Sequence, residues 1–372
     1  MNPFLDFPGA VPDPTLRVAT HYGEPLPEQR ALEAGCAIVD LSHRGIVTVS
    51  GVDRLSWLHS MTSQQLTRLA PGESAETLLL DPNGRIERAI RIVDDGERSW
   101  LLVDEGSAEP LAAFLQRMRF ALRVEVRDVS DEYAAVLAFA GPAAEALSAM
   151  SPVAEWRDPW RAVVVGGVQY AQPERHAGTD WSASQFVFSR DDLPRVVEAV
   201  RAAELRPAGL LALEALEVRA WRPAQHSDVD ERAIPHELDW LRTAVHLDKG
   251  CYRGQETVAK VHNLGHPPRR LAMLHLDGSG GELPEAGALV YRAAAPGENR
   301  DPEARPVGRV TRAALHHEWG GIALALLKRS VPEDAPLEVQ LTGSAERVAA
   351  AQEVIVPTDA GRTRDIPRLK RL

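Results

Sequence analysis

Residues 248–257 read DKGCYRGQET, which places a thiol two residues after an ammonium in a loop carrying two glycines. Both reactive types are scarce in this chain. It has 2 cysteines, Cys36 and Cys251, and of its 42 basic residues only Lys249, Lys260, Lys328 and Lys370 are lysines. Arginine is a fixed, always-charged fork, whereas lysine is a compact charge whose pKa moves with its surroundings. Gly250 and Gly254 allow a tight turn and close backbone approach. Residues 255–261 (QETVAKV) read as one or two helical turns, with Glu256 and Lys260 at a favourable i, i+4 spacing. Cys251 then stands just ahead of a helix N-terminus with Lys249 nearby, a setting that favours thiolate. The alternative for a lone cysteine is a small buried hydrophobe.

Other chemistries fit this stretch less well. A P-loop needs four residues between its glycines followed by Lys and Ser/Thr, and here there are three followed by Gln255. His262 and His266 have i, i+4 spacing, but Gly265 and Pro267 break the helix that would present both, so a zinc site is not expected. His246 or His262 could serve a cysteine nucleophile as base, although spacing alone does not show that they meet. Trp221, Trp240 and Tyr252 lie close in sequence and suit either a flat heteroaromatic ligand or ordinary core packing.

The elements that must position this loop follow from periodicity. Residues 28–40 read as a helix running into a strand, and residues 45–130 read β-α-β-β-β-α-β, an open sheet with its helices on one side. Asp81-Pro82-Asn83-Gly84 is a hairpin turn. Further strands are expected at VVVGGVQY and QFVFS, with helices from 191 and over 207–221. After 269, short strands at regular spacing suggest a small β-barrel.

Composition bounds the function. A hydrophobic content of 44% and a charged content of 26% are those of a globular protein. Two cysteines make no disulfide framework, no basic leader is visible, and no apolar run reaches the roughly 20 residues of a membrane span, so a cytoplasmic protein is expected. A net charge of −11 argues against direct nucleic-acid or anionic-membrane binding. The basic C-terminal stretch over 362–371 reads as a solvated tail.

Lys249-Gly250-Cys251-Tyr252-Arg253-Gly254-Gln255-Glu256 resembles the K-G-C-Y-x-G-Q-E signature of the YgfZ family, folate-binding relatives of the glycine-cleavage T-protein that support iron–sulfur enzymes. The resemblance covers most of the chain. Asp40-Leu41-Ser42, Gly51-Val52-Asp53, Pro71-Gly72 and Asn83-Gly84 are similar to T-protein landmarks, and residues 306–329 are similar to its C-terminal segment.

The resemblance implies an α+β fold of three domains around a central folate channel: residues 1–50 with 131–245, residues 51–130 with 246–268, and a C-terminal β-barrel over 269–372. It implies tetrahydrofolate as ligand, with Lys249 on its anionic tail or setting the loop's charge. Cys251 is then the functional thiol, Tyr252, Trp240 and Trp221 are pocket walls, and Gly250, Gly254, Gln255 and Glu256 complete the site. It further implies iron–sulfur proteins or assembly factors as transient partners of a monomer. Two T-protein carboxylates are absent: their positions carry Arg88 and Arg219, so a pterin's N–H donors would need another acceptor such as Glu217 or Glu256. A folate-dependent aminomethyl or one-carbon transferase, or a factor linked to tRNA modification, are the alternatives.

Overall fold

The computed structural model describes residues 2–278, 282–294, 303–344 and 346–363. Two five-stranded sheets and one closed six-stranded barrel carry the chain. The first sheet runs in the order Ala154–Arg157, Ala183–Ser189, Tyr133–Phe139, Ala37–Asp40, Arg206–Ala208, with only its last pair parallel. The second runs Ser74–Leu80, Ile86–Asp94, Arg98–Val103, Gly45–Ser50, Glu125–Asp128, antiparallel throughout. This sheet with its helices Arg54–Met61 and Ala108–Met118 reproduces the β-α-β-β-β-α-β order read from the sequence.

Alternation along each strand decides which side each residue serves, because successive side chains point to opposite faces. Val47, Val49, Leu79, Leu101 and Val103 face the two helices of the second sheet. Ile46, Leu78, Leu80, Trp100 and Leu102 point the other way, into a core shared with Val39, Leu137 and Phe139 of the first sheet. The first sheet backs its outer face onto helices Pro142–Ala149 and Leu193–Arg201. The barrel repeats the device. Ala272 and Leu274 fill its interior, while Leu271 and Met273 join the shared core.

Sheet membership moves one expected boundary. Gly45–Ser50, placed by the sequence reading in the first domain, pairs with Arg98–Val103 in the second sheet, so the chain changes sheets between Asp40 and Gly45. VVVGGVQY forms no strand. Gly166 and Gly167 turn it across residues 241–247, with Val164 and Val168 donating to the Arg242 and Leu241 carbonyls. A side chain at either glycine would collide with His246 or with backbone, so close approach replaces pairing. Of the basic tail, residues 364–372 lie outside the described residues.

A β-bulge sets up the link between barrel and sheets. In Gly308–His316 the register slips between Val310 and Arg312, which re-aims Arg312. Its guanidinium is buried and donates to Glu217 at 2.6 Å, to Asp228 at 2.9 Å and to the Arg222 carbonyl.

Candidate functional site

The signature loop is built by its own residues against the hairpin at 81–84. Gly254 (φ +82°) and Gly84 (φ +78°) meet back to back, and a Cβ on Gly254 would lie 2.6 Å from the Asp81 carbonyl. Helix Gln255–Leu264 starts directly after Gly254. Lys249 is buried, and its ammonium donates to the carbonyls of His59, Thr62 and Gln64, the last at 3.0 Å. An ammonium has three donors, and all three are used here, so none remains for a ligand. Burial pushes the Lys249 pKa down to about 7. The charge instead caps the C-terminal end of helix Arg54–Met61, where carbonyls lack helical partners. The expected contact with an anionic folate tail is therefore replaced by a structural tie.

The neighbours of Lys249 are structural too. Tyr252 is buried with its ring 4.9 Å beneath the ammonium. Gln255 donates to the Lys249 carbonyl at 3.2 Å. Arg253 pairs with Glu87 at 2.8 Å. Gly250 has open space around it, and Glu256 and Cys251 are exposed. The loop thus presents the Cys251 thiol to solvent on a fixed frame. Trp221 and Trp240 are 2% and 1% exposed and sit in the shared core. Trp221 holds a left-handed φ of 57° at the end of helix Leu210–Arg219, a place usually given to glycine.

The cavity lies elsewhere, on the same helix. It encloses about 300 Å³ between Leu210–Arg219, the N-terminal segment near Leu16 and Thr20, and the turns at His43–Arg44 and Asp104–Glu105. None of residues 249–256, Trp221 or Trp240 lines it. Leu16, Leu210 and Leu213 supply an apolar wall. Polar groups line it as well. Asp104 accepts from Arg91 at 2.9 Å; burial opposes its ionisation, but Arg91 and His226 hold its carboxyl well below the usual range. Glu217 is tied to Arg312, whereas Glu214, one turn earlier, is pushed up in pKa by burial against the pull of Arg312. Carboxyls whose surroundings drive their pKa values in opposite directions are a functional-site signature.

Sequence reasoning named Glu217 as a substitute acceptor, and the structure puts it at this cavity; Glu256, the other candidate, is in solvent. It missed Arg44, Asp104 and Glu214. The signal for Glu214 and Glu217 was present, since LLALEALEVR carries two carboxylates three residues apart on a mostly apolar, largely buried helix. Arg219 turns away from the cavity, pairs with Glu33 and lies 5.3 Å over the Trp319 ring. Arg88 donates to the Glu87 carbonyl. Among the described residues no group of acidic, histidine or cysteine side chains is arranged to hold a metal, and no helix is long and apolar enough to cross a membrane.

Residues 20–169 match the family model of the GCVT N-terminal domain. The chain is 27% identical over 347 residues to an aminomethyltransferase of Thermus thermophilus, covering 90% of this chain and 91% of that one. It is 29% identical over 279 residues to the aminomethyltransferase of Geobacillus kaustophilus, covering 71% and 74%. A chloroplastic protein of Arabidopsis thaliana, named for a transferase activity, is 25% identical over 270 residues, a match spanning 57% of that protein's length. The crystal structure of the glycine cleavage system aminomethyltransferase T from Bartonella henselae superposes with a TM-score of 0.72 over 95% of both chains at 17% identity, a likeness of fold. In sequence and in fold, the chain is T-protein-like.

Proposed function

We propose that this T-protein-like chain is a YgfZ-type protein of the cytoplasm. In this reading it binds tetrahydrofolate in the cavity under helix Leu210–Arg219 and supports assembly or repair of iron–sulfur clusters, with Cys251 as its functional thiol. One observation carries the reading: in the signature loop, Lys249, Tyr252, Gly254 and Gln255 are all spent on structure, and of the two side chains left facing solvent, Cys251 and Glu256, the nucleophile is the thiol. Similarity to aminomethyltransferases supports the T-protein resemblance, and tetrahydrofolate is the ligand that resemblance implies. A cluster usually takes four thiolates, so a single cysteine here would act on one transiently, together with thiols of a client.

The similarity to aminomethyltransferases over nine-tenths of the chain favours a second reading, folate-dependent aminomethyl transfer. Arg88 and Arg219 weigh against it, because they stand where the resemblance places carboxylates and each is engaged away from the cavity.

The test is complementation of a deletion strain. Cys251→Ala is expected to lose support of iron–sulfur enzymes while Cys36→Ala keeps it. Both variants should unfold within about 0.5 kcal/mol of wild type, since both thiols are exposed. Full client activity with Cys251→Ala would remove the thiol from the mechanism.

A further inference from the structure

Arg44 is 7% exposed and lines the cavity, yet among the described residues its guanidinium has no hydrogen-bond or ion-pair partner. That is unusual in this protein. The other deeply buried arginines around it are matched: Arg222 donates to Glu76 and Asp158, Arg312 to Glu217 and Asp228, and Arg91 to Asp104. Asp104 and Glu217 are the carboxylates whose charge reaches Arg44, and each is already held by its own arginine. Beside it, His43 has a buried Nδ1 without a partner and a pKa lowered to about 3 by burial and by Arg44, so the neighbour is a neutral ring. A buried cation without an acceptor is costly unless something supplies one.

The opposite polarity stands elsewhere on the wall. The Glu214 carboxyl lines the same cavity and also makes no hydrogen bond among the described residues. The cavity therefore offers a planar fork of donors, a carboxyl acceptor and leucine walls.

We infer that Arg44 is the anion anchor of this cavity: it takes a carboxylate of the ligand bidentately, while Glu214 accepts from the ligand's N–H donors. The ligand class is an elongated amino-carboxylate with an apolar or aromatic middle. This deepens the folate reading and rests on it for the ligand's identity, but the anchor itself rests on the unpartnered guanidinium. Arg44 and Glu214 then determine specificity at positions the signature loop does not touch.

Calorimetric titration of 5-formyltetrahydrofolate, of p-aminobenzoyl-glutamate and of 6-methylpterin into wild type, Arg44→Met and Glu214→Gln tests this. Arg44→Met is expected to weaken the two carboxylate-bearing probes at least ten-fold and leave the pterin unchanged. Glu214→Gln should weaken the pterin-bearing probes and spare p-aminobenzoyl-glutamate. Arg44→Lys, which keeps charge but not the fork, should recover part of the loss, and urea unfolding of each variant confirms that it is folded. Equal binding of 5-formyltetrahydrofolate to wild type and Arg44→Met would overturn the anchor and leave the folate reading standing. Binding of p-aminobenzoyl-glutamate, lost in Arg44→Met, with none of 5-formyltetrahydrofolate would keep the anchor and remove folate. Binding of no probe by wild type would overturn both.

Discussion

At the scale of single residues, this protein keeps many polar groups out of water, and burial of a histidine among them carries a pH consequence of definite sign. His236 is fully buried; its Nε2 lies 3.0 Å from the Val258 carbonyl, and its Nδ1 has no partner. Burial pushes its pKa down to about 3, against about 6.5 in an unfolded chain. Above pH 6.5 both states hold the ring neutral and it adds no pH dependence. As pH falls from 6.5 towards 3, the unfolded state takes up a proton that the folded state refuses, so stability falls. One such proton is worth about 1.4 kcal/mol per pH unit, or roughly 2 kcal/mol between pH 6.5 and 5. His236→Gln keeps a donor for the carbonyl and removes the titration. Urea unfolding at pH 7 and pH 5 should show a loss in wild type that is smaller by about that amount in the variant. An unchanged difference would mean that His236 accepts its proton in the folded state. Residue types near the signature were readable in the sequence, but their solvation was not: Lys249 and Cys251 are two positions apart, one buried under three carbonyls and the other in water.

Elements were more legible than residues, for a physical reason. Strand alternation and helix period are local, so the β-α-β-β-β-α-β order, the barrel strands up to Leu337–Gln340 and helix Leu210–Arg219 follow from neighbours in sequence, while the closing strand Arg347–Val354 was not read. What failed was decided by distant parts of the chain. VVVGGVQY has strand composition, but the partner it meets, residues 241–247, approaches too closely for anything except glycine turns. The cavity was hidden for the same reason, because its walls come from residues near 16, 43, 104 and 214. Contact between the hairpin at 81–84 and the signature loop is likewise long-range, and it makes a sharp test. Gly254→Ala would place a methyl 2.6 Å from the Asp81 carbonyl at a left-handed φ, and should cost about 3 kcal/mol. Gly250→Ala, with nothing within 4 Å, should cost less than about 0.5 kcal/mol. Two equal urea midpoints would show that the loop is not braced by the hairpin.

At the scale of the whole molecule, the two sheets and the barrel share one hydrophobic core, to which the barrel contributes Leu271, Met273, Ile322, Leu324 and Leu326. Packing alone is non-directional and would let the barrel settle at several angles. Direction comes from charge. Arg312, aimed by its bulge, reaches Glu217 on the cavity helix and Asp228 beyond it, while Arg269 on the first barrel strand, Arg269–Leu276, pairs with Asp230 and Glu237. Arg312 and Asp228 are 1% and 0% exposed as side chains, so removing the arginine leaves a carboxylate stranded out of water rather than returned to it. Losing one partner of a buried pair costs about 3–5 kcal/mol. Arg127→Ala, which breaks an exposed pair with Glu132, should cost under about 1 kcal/mol. Arg312→Ala is therefore expected to lower the urea midpoint far more than Arg127→Ala, still in a single transition, because the shared core keeps barrel and sheets cooperative. It should also weaken ligand binding at the cavity, since Glu217 loses the fork that fixes its position beside Glu214. A second, separate transition in Arg312→Ala would show instead that the ion pairs, and not the shared core, make the molecule one folding unit.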